Sequence, residues 1–264
     1  MKRSIAFVGD LHVGSRFAVA PAGYRTREGN MVHINEGQMT LLQHFRDFCK
    51  KCDELEVDTI FLMGDLVDGP NSKGYGRNLV MADLNDQIGM AVMLLKELCK
   101  DRKVYGVEGS GYHVLPGGIS ADQAVVQLLG GQWKGMVSVG CFEPSEIVFH
   151  IFHGTGGGTI YRATAMDREN LFINASVAIG KIPRITAIVR AHKHFHLYME
   201  QNGQYMLQIP CWSAWVPNKI YARLYGRMQP DIGACILQIT DDERIVHHVF
   251  LYDLPQIADK VEGL

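Results

Sequence analysis

No stretch of this 264-residue sequence approaches the roughly 20 consecutive apolar residues of a membrane span. The apolar run Ile5–Val8 stops at Gly9-Asp10, short of the roughly 7–15 residues of a signal-peptide core. A cytoplasmic protein with no membrane partner is therefore expected. Charge of one sign is also lacking: 26 Lys and Arg stand against 28 Asp and Glu, for a net charge of −2. That excludes a global basic field for nucleic acid and leaves such contacts to local patches. Cysteine is sparse, with six residues scattered at 49, 52, 99, 141, 211 and 235, which read as reduced thiols in the absence of an export signal. The Cys49-Lys50-Lys51-Cys52 pair has no second CxxC to complete a zinc ribbon and falls on the apolar stripe of a helix, so it reads as core. Internal repeats, low-complexity tracts and linker composition are absent as well. One domain over residues 1–264 follows, with 47% hydrophobic and 20% charged residues, enough to bury a full core.

Strand and helix patterns alternate from the start. Ser4–Val8 and Val57–Met63 are short apolar runs that each end in Gly-Asp, as buried parallel strands do. Between them Met39, Leu42, Phe45, Cys49, Cys52 and Leu55 recur every three or four residues, which predicts a helix over 37–55. Leu84 to Leu98 repeats that pattern, and Lys103–Val107 is a third strand. The first 110 residues thus read β-α-β-α-β, the mark of a parallel sheet with helices on its faces. A short helix at Asp122–Leu129 follows, then strands at Glu146–Phe152 and Arg184–Arg190 with a helix near 160–178 between them. Asn202-Gly203 turns one hairpin (His196–Gln201 with Gln204–Ile209), and 241–243 turns another (Ile232–Thr240 with Arg244–Tyr252). The expected class is α/β with two sheets.

Five clusters of acids, histidines and small polar residues fall where strands end: Gly9-Asp10-Leu11-His12, Gly64-Asp65-Leu66-Val67-Asp68-Gly69, Gly109-Ser110-Gly111-Tyr112-His113, His153-Gly154 and Ala191-His192-Lys193-His194. In open α/β sheets ligands bind beyond the carboxyl ends of the strands, so the five can converge on one crevice. In an extended D-x-H or H-x-H, side chains two apart point the same way, which lets Asp10 with His12, and His192 with His194, approach one ion pair. Carboxylate oxygens mixed with imidazole nitrogens suit divalent Mn, Fe or Zn rather than calcium. Alone, each cluster reads as a surface turn or an N-cap. Five in order, each at a strand end, read as a metal site.

D-x-H, G-D-x-x-D-G, a Gly-rich turn with His, His-Gly and x-H-x-H, taken together, resemble the calcineurin-like metallophosphoesterase superfamily from Asp10 to His194. The strings Gly9-Asp10-Leu11-His12-Val13-Gly14-Ser15, Pro210–Trp215 and Asp231–Ala234 look closest to its phage and prophage branch, which would place the protein in a host cytoplasm. The resemblance implies a four-layer α-β-β-α sandwich, two mixed sheets flanked by helices, with two divalent ions at one sheet edge. It implies Mn first, with Zn or Fe as alternatives. By the same carry-over, Asp10, His12 and His194 would bind the first ion, His153 and His192 the second, and Asp65 both. Asp68 matches no ligand and is expected to fix its loop by hydrogen bonds. The family's Asn in the third motif is missing here; Ser110 or a water would fill that place. His113 is the counterpart of the phosphate-contacting, catalytic His.

The implied chemistry is hydrolysis of a phosphate ester by metal-activated water, without a covalent enzyme intermediate. A phosphodiester is the leading substrate class, nucleic acid included, because Arg16, Arg25, Arg27, Lys73 and Arg77 crowd the nearest loops. A late series, Trp212, Trp215, Lys219, Tyr221, Arg223, Tyr225 and Arg227, could form a stacking wall. The alternatives are a phosphomonoesterase or protein phosphatase, and a non-catalytic metal-binding scaffold of the same fold. His33, His44, His150, His196, His247 and His248 show no partner pattern and read as surface or core residues, with His150 facing away from His153. Oligomeric state is left open.

Overall fold

The computed structural model describes residues 2–71, 75–111, 120–156, 161–214 and 230–253. Strand β1 (Arg3–Val8) leads to helix α1 (Glu36–Glu54), β2 (Thr59–Leu62), α2 (Leu84–Cys99), β3 (Lys103–Gly106), α3 (Ala121–Leu128) and β4 (Gln132–Trp133). Then come β5 (Val137–Gly140), β6 (Phe149–Phe152), α4 (Arg162–Ala178), β7 (Ala187–Arg190), β8 (Leu197–Gln201), β9 (Gln204–Gln208), β10 (Ile232–Ile239) and β11 (Ile245–Tyr252). Local chemistry sets the helix starts. Asn35 caps α1 in a reciprocal capping box with Gln38, and the Asp83 carboxylate accepts from the backbone N–H groups of Asn85 and Asp86 at the start of α2.

Two sheets result. The first runs β11-β10-β1-β2-β3-β4, with β1 to β4 parallel and the β10–β11 hairpin added antiparallel against β1. The second runs β5-β6-β7-β9-β8, parallel at its centre. Residue alternation along each strand builds the layers. Ala6 and Val8 join α1, α2 and α3 in one apolar core, whereas Ile5 and Phe7 face Phe149, Ala187, Val189 and Leu207 of the second sheet. Ile188 and Met206 face the other way, onto Met166 and Ile173 of α4. The expected four-layer α-β-β-α sandwich is present. Arg190, almost fully buried, ties α4 to its sheet: its guanidinium donates to Glu169 and to the His150 carbonyl at 3.0 Å.

The sequence pattern misses β4 and β5. The first is two residues long, and the second is a four-residue, mostly exposed edge strand ending in Gly140, so both are too short to mark a hydrophobic period. Among the described residues no helix is long and apolar enough to cross a membrane.

Candidate metal centre

The parallel strands β1, β2 and β3 of one sheet and β6 and β7 of the other deliver their carboxyl ends to the same edge. Backbone and side chain stitch the two sheets there: His153 Nδ1 lies 2.6 Å from the Met63 carbonyl, and the His192 N–H donates to Asp10 Oδ2 at 2.8 Å. Six candidate ligands fall into two trios, Asp10–His12–His194 and Asp65–His153–His192, with the ligand atoms of each within 4.8 Å of one another. In the first, His12 Nε2 and His194 Nε2 are 3.2 Å apart; in the second, His153 Nε2 and His192 Nδ1 are also 3.2 Å apart, and Asp65 Oδ2 is 3.1 Å from His153 Nε2.

The fit to cations rests on three observations. Asp10 Oδ1 is buried without a hydrogen-bond partner, yet His194 Nε2, His12 Nε2 and His153 Nε2 surround it at 3.3, 3.8 and 3.8 Å. An orphaned carboxylate oxygen inside a protein is costly unless a positive charge faces it. Second, the local field favours positive charge. Burial lowers the pKa of His12, but the Asp10 and Asp68 carboxylates overcome it and raise the value to about 10. His153, likewise buried, is raised to about 9 by Asp65 and Asp10. Third, two protonated imidazoles cannot face each other nitrogen to nitrogen at 3.2 Å, whereas one cation between unprotonated nitrogens fits. The resemblance gives the bridging role to Asp65; the geometry also brings Asp10 Oδ1 within 3.8 Å of nitrogens from both trios.

The backbone around these residues is not extended. Asp10, His12, Asp65, His192 and His194 have φ of 49°, 44°, 50°, 74° and 55°, so five of the six candidate ligands occupy the left-handed region. The expectation that an extended D-x-H aims both side chains alike is therefore corrected. Convergence comes from tight turns held by Asp10 N–H to Gly64 O at 3.0 Å and His12 N–H to Asp65 O at 2.9 Å. In H-x-H the two imidazoles part, His194 to one trio and His192 to the other. Such conformations cost about 1–3 kcal/mol each and cluster at functional sites. Gly64 and Gly109 allow the second and third loops to meet: a Cβ on Gly64 would collide with the backbone of Gly109, and one on Gly109 would collide with the Asp65 carboxylate.

Supporting residues orient the ligands. Asp68 accepts from Asn71 at 2.6 Å, as expected of a loop-fixing residue, and its Oδ1 also stands 3.4 Å from His12 Nδ1. That contact turns Nε2 of His12 inward, a common arrangement behind metal-bound histidines. Ser110 donates its backbone N–H to Asp65 Oδ1 at 2.6 Å and places its hydroxyl 3.0 Å from Oδ2. It therefore touches the second trio through Asp65. His192 has its pKa lowered to about 4, by burial first and then by His153, so it offers a lone pair at neutral pH.

Sequence reasoning misses Asp122. Its buried carboxylate accepts from the N–H groups of Leu66 at 2.8 Å, Gly109 at 2.9 Å and Asp65 at 3.1 Å, clipping the second and third loops together. Burial and then the negative charge of Asp65 raise its pKa to about 6. Cys211, by sequence a reduced thiol and nothing more, is buried beside His194 and helps raise that imidazole's pKa against the effect of burial.

The substrate-facing expectations fare unevenly. Arg16 and Arg77 are exposed on the loops, whereas the Arg27 guanidinium grips Asp83 at 3.0 Å and Arg25 donates to the Gly29 carbonyl. Trp212 forms no stacking wall: it is fully buried against Phe45 and Phe48, anchoring the loop whose N–H donates to Asp10 O. His113, Tyr112, Lys73, Trp215, Lys219, Tyr221, Arg223, Tyr225 and Arg227 lie outside the described residues. His196 and His247 do have partners: their Nε2 atoms are 3.2 Å apart. Cys49 and Cys52 are core residues, as expected.

No family model matches the sequence, and no curated protein matches it. Among solved structures, the chain is similar to an archaeal phosphodiesterase at 12% identity and a TM-score of 0.47, covering 94% of this chain and 99% of that one. It is also similar to zinc-complexed Vps29 of Entamoeba histolytica (12% identity, TM-score 0.44, 95% and 99% covered). Vacuolar protein sorting 29 of Cryptosporidium parvum gives 12% identity and a TM-score of 0.46, with 96% and 99% covered.

Proposed function

We propose that this protein is a dinuclear-metal phosphoesterase of the calcineurin-like type, acting on a phosphodiester, with nucleic acid as the leading polymer substrate. The observation that carries the reading is the orphaned Asp10 Oδ1, which faces imidazole nitrogens of both trios. Asp10, His12 and His194 would hold one divalent cation and Asp65, His153 and His192 the other, with manganese first and zinc or iron as alternatives. When bound, such a pair supplies Lewis acidity to the phosphoryl oxygens and lowers the pKa of the attacking water.

The chain's own residues set the geometry. Asp68 and the Met63 carbonyl fix the rings of His12 and His153 from behind, and Ser110 with Asp122 holds the Asp65 loop. His113 is assigned the proton delivered to the leaving oxygen, on the sequence motif. The exposed Arg16 and Arg77 would contact flanking phosphates. The strings around Asp10, Trp212 and Asp231 support a place in the phage branch.

The test is hydrolysis of an aryl phosphodiester, an aryl phosphomonoester, single- and double-stranded DNA, RNA and cyclic nucleotides with added Mn²⁺, in wild type and Asp65→Ala. Metal-dependent diester cleavage that vanishes in the variant is expected. Full activity after exhaustive chelation, or near-normal activity in Asp65→Ala, refutes the reading; monoester preference shifts it to a phosphomonoesterase.

A further inference from the structure

Away from the two trios, a third cluster of ligating side chains joins the two sheets. His196 lies in the loop after His192 and His194, just before β8; Cys235 sits on β10 and His247 on β11. One nitrogen from each histidine and the Cys235 sulfur all lie within 4.8 Å of one another. The rings meet nitrogen to nitrogen, Nε2 to Nε2 at 3.2 Å with ring centroids 5.0 Å apart. Two nitrogens each about 2.0–2.1 Å from a tetrahedral zinc ion stand about 3.3 Å apart, so this spacing is that of one edge of a zinc site.

The cluster is held in place. The His247 ring stacks on Tyr198 at 4.4 Å between centroids, with planes 2° apart. The His196 backbone N–H donates to Asp231 Oδ2 at 2.8 Å, and the Asp231 N–H donates in turn to the His194 carbonyl. Cys235 is fully buried between the sheets, while the two histidines are half-buried and open the cluster to solvent. A thiolate with two imidazoles is a borderline-soft donor set that favours zinc-class ions over magnesium or calcium.

We propose that His196, Cys235 and His247 form a third metal site, for one zinc-class divalent cation, which ties the loop carrying His192 and His194 to the β10–β11 hairpin. Binding releases the Cys235 thiol proton, and three protein ligands leave one of zinc's four positions to a solvent oxygen. The site is independent of the dinuclear reading, since it shares no ligand with either trio. Its consequence for the other site is mechanical: a cation here pins the loop two residues beyond His194 to the opposite sheet.

Cobalt substitution tests this, because a thiolate ligand gives Co²⁺ a charge-transfer band in the near ultraviolet that oxygen and nitrogen ligands do not. Chelated full-length protein reloaded with Co²⁺ should show the band. It should be lost in Cys235→Ser and in His247→Gln and kept in Cys211→Ser, the thiol beside His194. Metal analysis should show His247→Gln carrying one zinc equivalent fewer than wild type. Because His247 is half-buried on an outer strand, that variant keeps the test open if Cys235→Ser does not fold. No band in wild type, a band surviving in folded Cys235→Ser, or unchanged zinc content in His247→Gln overturns the proposal. Asp65→Ala separates the two sites: it should lower metal content without removing the band.

Discussion

Asp122 gives the sharpest quantitative expectation, because one side chain satisfies three backbone donors that belong to two different loops. Asp122→Ala removes the acceptor for the N–H groups of Asp65, Leu66 and Gly109 and leaves the backbone where it was. A buried donor left without an acceptor costs about 1–3 kcal/mol. At about 2 kcal/mol each, the three lose about 6 kcal/mol. Removing the carboxylate also relieves the burial and Asp65 repulsion that raise its pKa to about 6, which offsets about 3 kcal/mol and leaves about 3. In a chain of this size about 1 kcal/mol moves Tm by roughly 2–4 °C, so a fall of about 6–12 °C is expected by calorimetry. Asp122→Asn should fall between the variant and wild type, because its amide keeps one acceptor oxygen and turns a donor toward the remaining N–H groups. A second readout separates clipping from plain stability. Freed from Asp122, the loops carrying Asp65 and Ser110 should lose their shared alignment, and metal affinity should drop about 10–100-fold, as for other residues that position ligands. A Tm within about 2 °C of wild type, or unchanged metal affinity in Asp122→Ala, would refute the reasoning.

Three further outcomes follow. Returning Mn²⁺ or Zn²⁺ to chelated protein should raise Tm: occupation of one site at about 100 times its Kd contributes about 2.7 kcal/mol, or roughly 5–10 °C. A flat melting temperature across a metal titration would contradict the two trios as metal sites. His150 has its pKa lowered to about 4, by burial and then by the Arg190 guanidinium 3.1 Å away. Its folded value lies below its unfolded value near 6.5, so its contribution is full above pH 6.5 and is lost as pH falls toward 4. His150→Gln should lose less stability than wild type between pH 7 and 5 in urea titrations; equal losses would count against it. Finally, His113→Ala should keep its metal and turn over roughly 10²–10⁴-fold more slowly, least so with a nitrophenolate leaving group, and unchanged turnover would remove His113 from the chemistry.

How far the sequence can be read follows from which physical constraints are local. Strand and helix periods are local, so β1, β2 and β3 and helices α1 and α2 fall within two residues of their expected limits. Strand ends are local too, which is why the residue pattern by itself gathers Asp10, Asp65, His153, His192 and His194 on one edge. An extended D-x-H is nevertheless the wrong reason for the convergence: positive φ at Asp10, His12, Asp65, His192 and His194 aims those five side chains, and no residue pattern records φ at a non-glycine position. Asp122 stays hidden for a related reason. An Asp in the first turn of a helix already has a routine role against the helix dipole, so nothing in α3 marks it as the clip between two distant loops. Trp212 and the His196–His247 pair fail in opposite directions. The Trp reads as a surface platform because arginines follow it in sequence, yet Phe45 and Phe48 of α1 bury it. The two histidines, 51 residues apart, read as idle because their pairing depends on where the β10–β11 hairpin adds to the first sheet. Chemistry carried on one turn is legible in the chain; chemistry assembled by sheet-to-sheet packing is not, and the third cluster belongs wholly to the second kind.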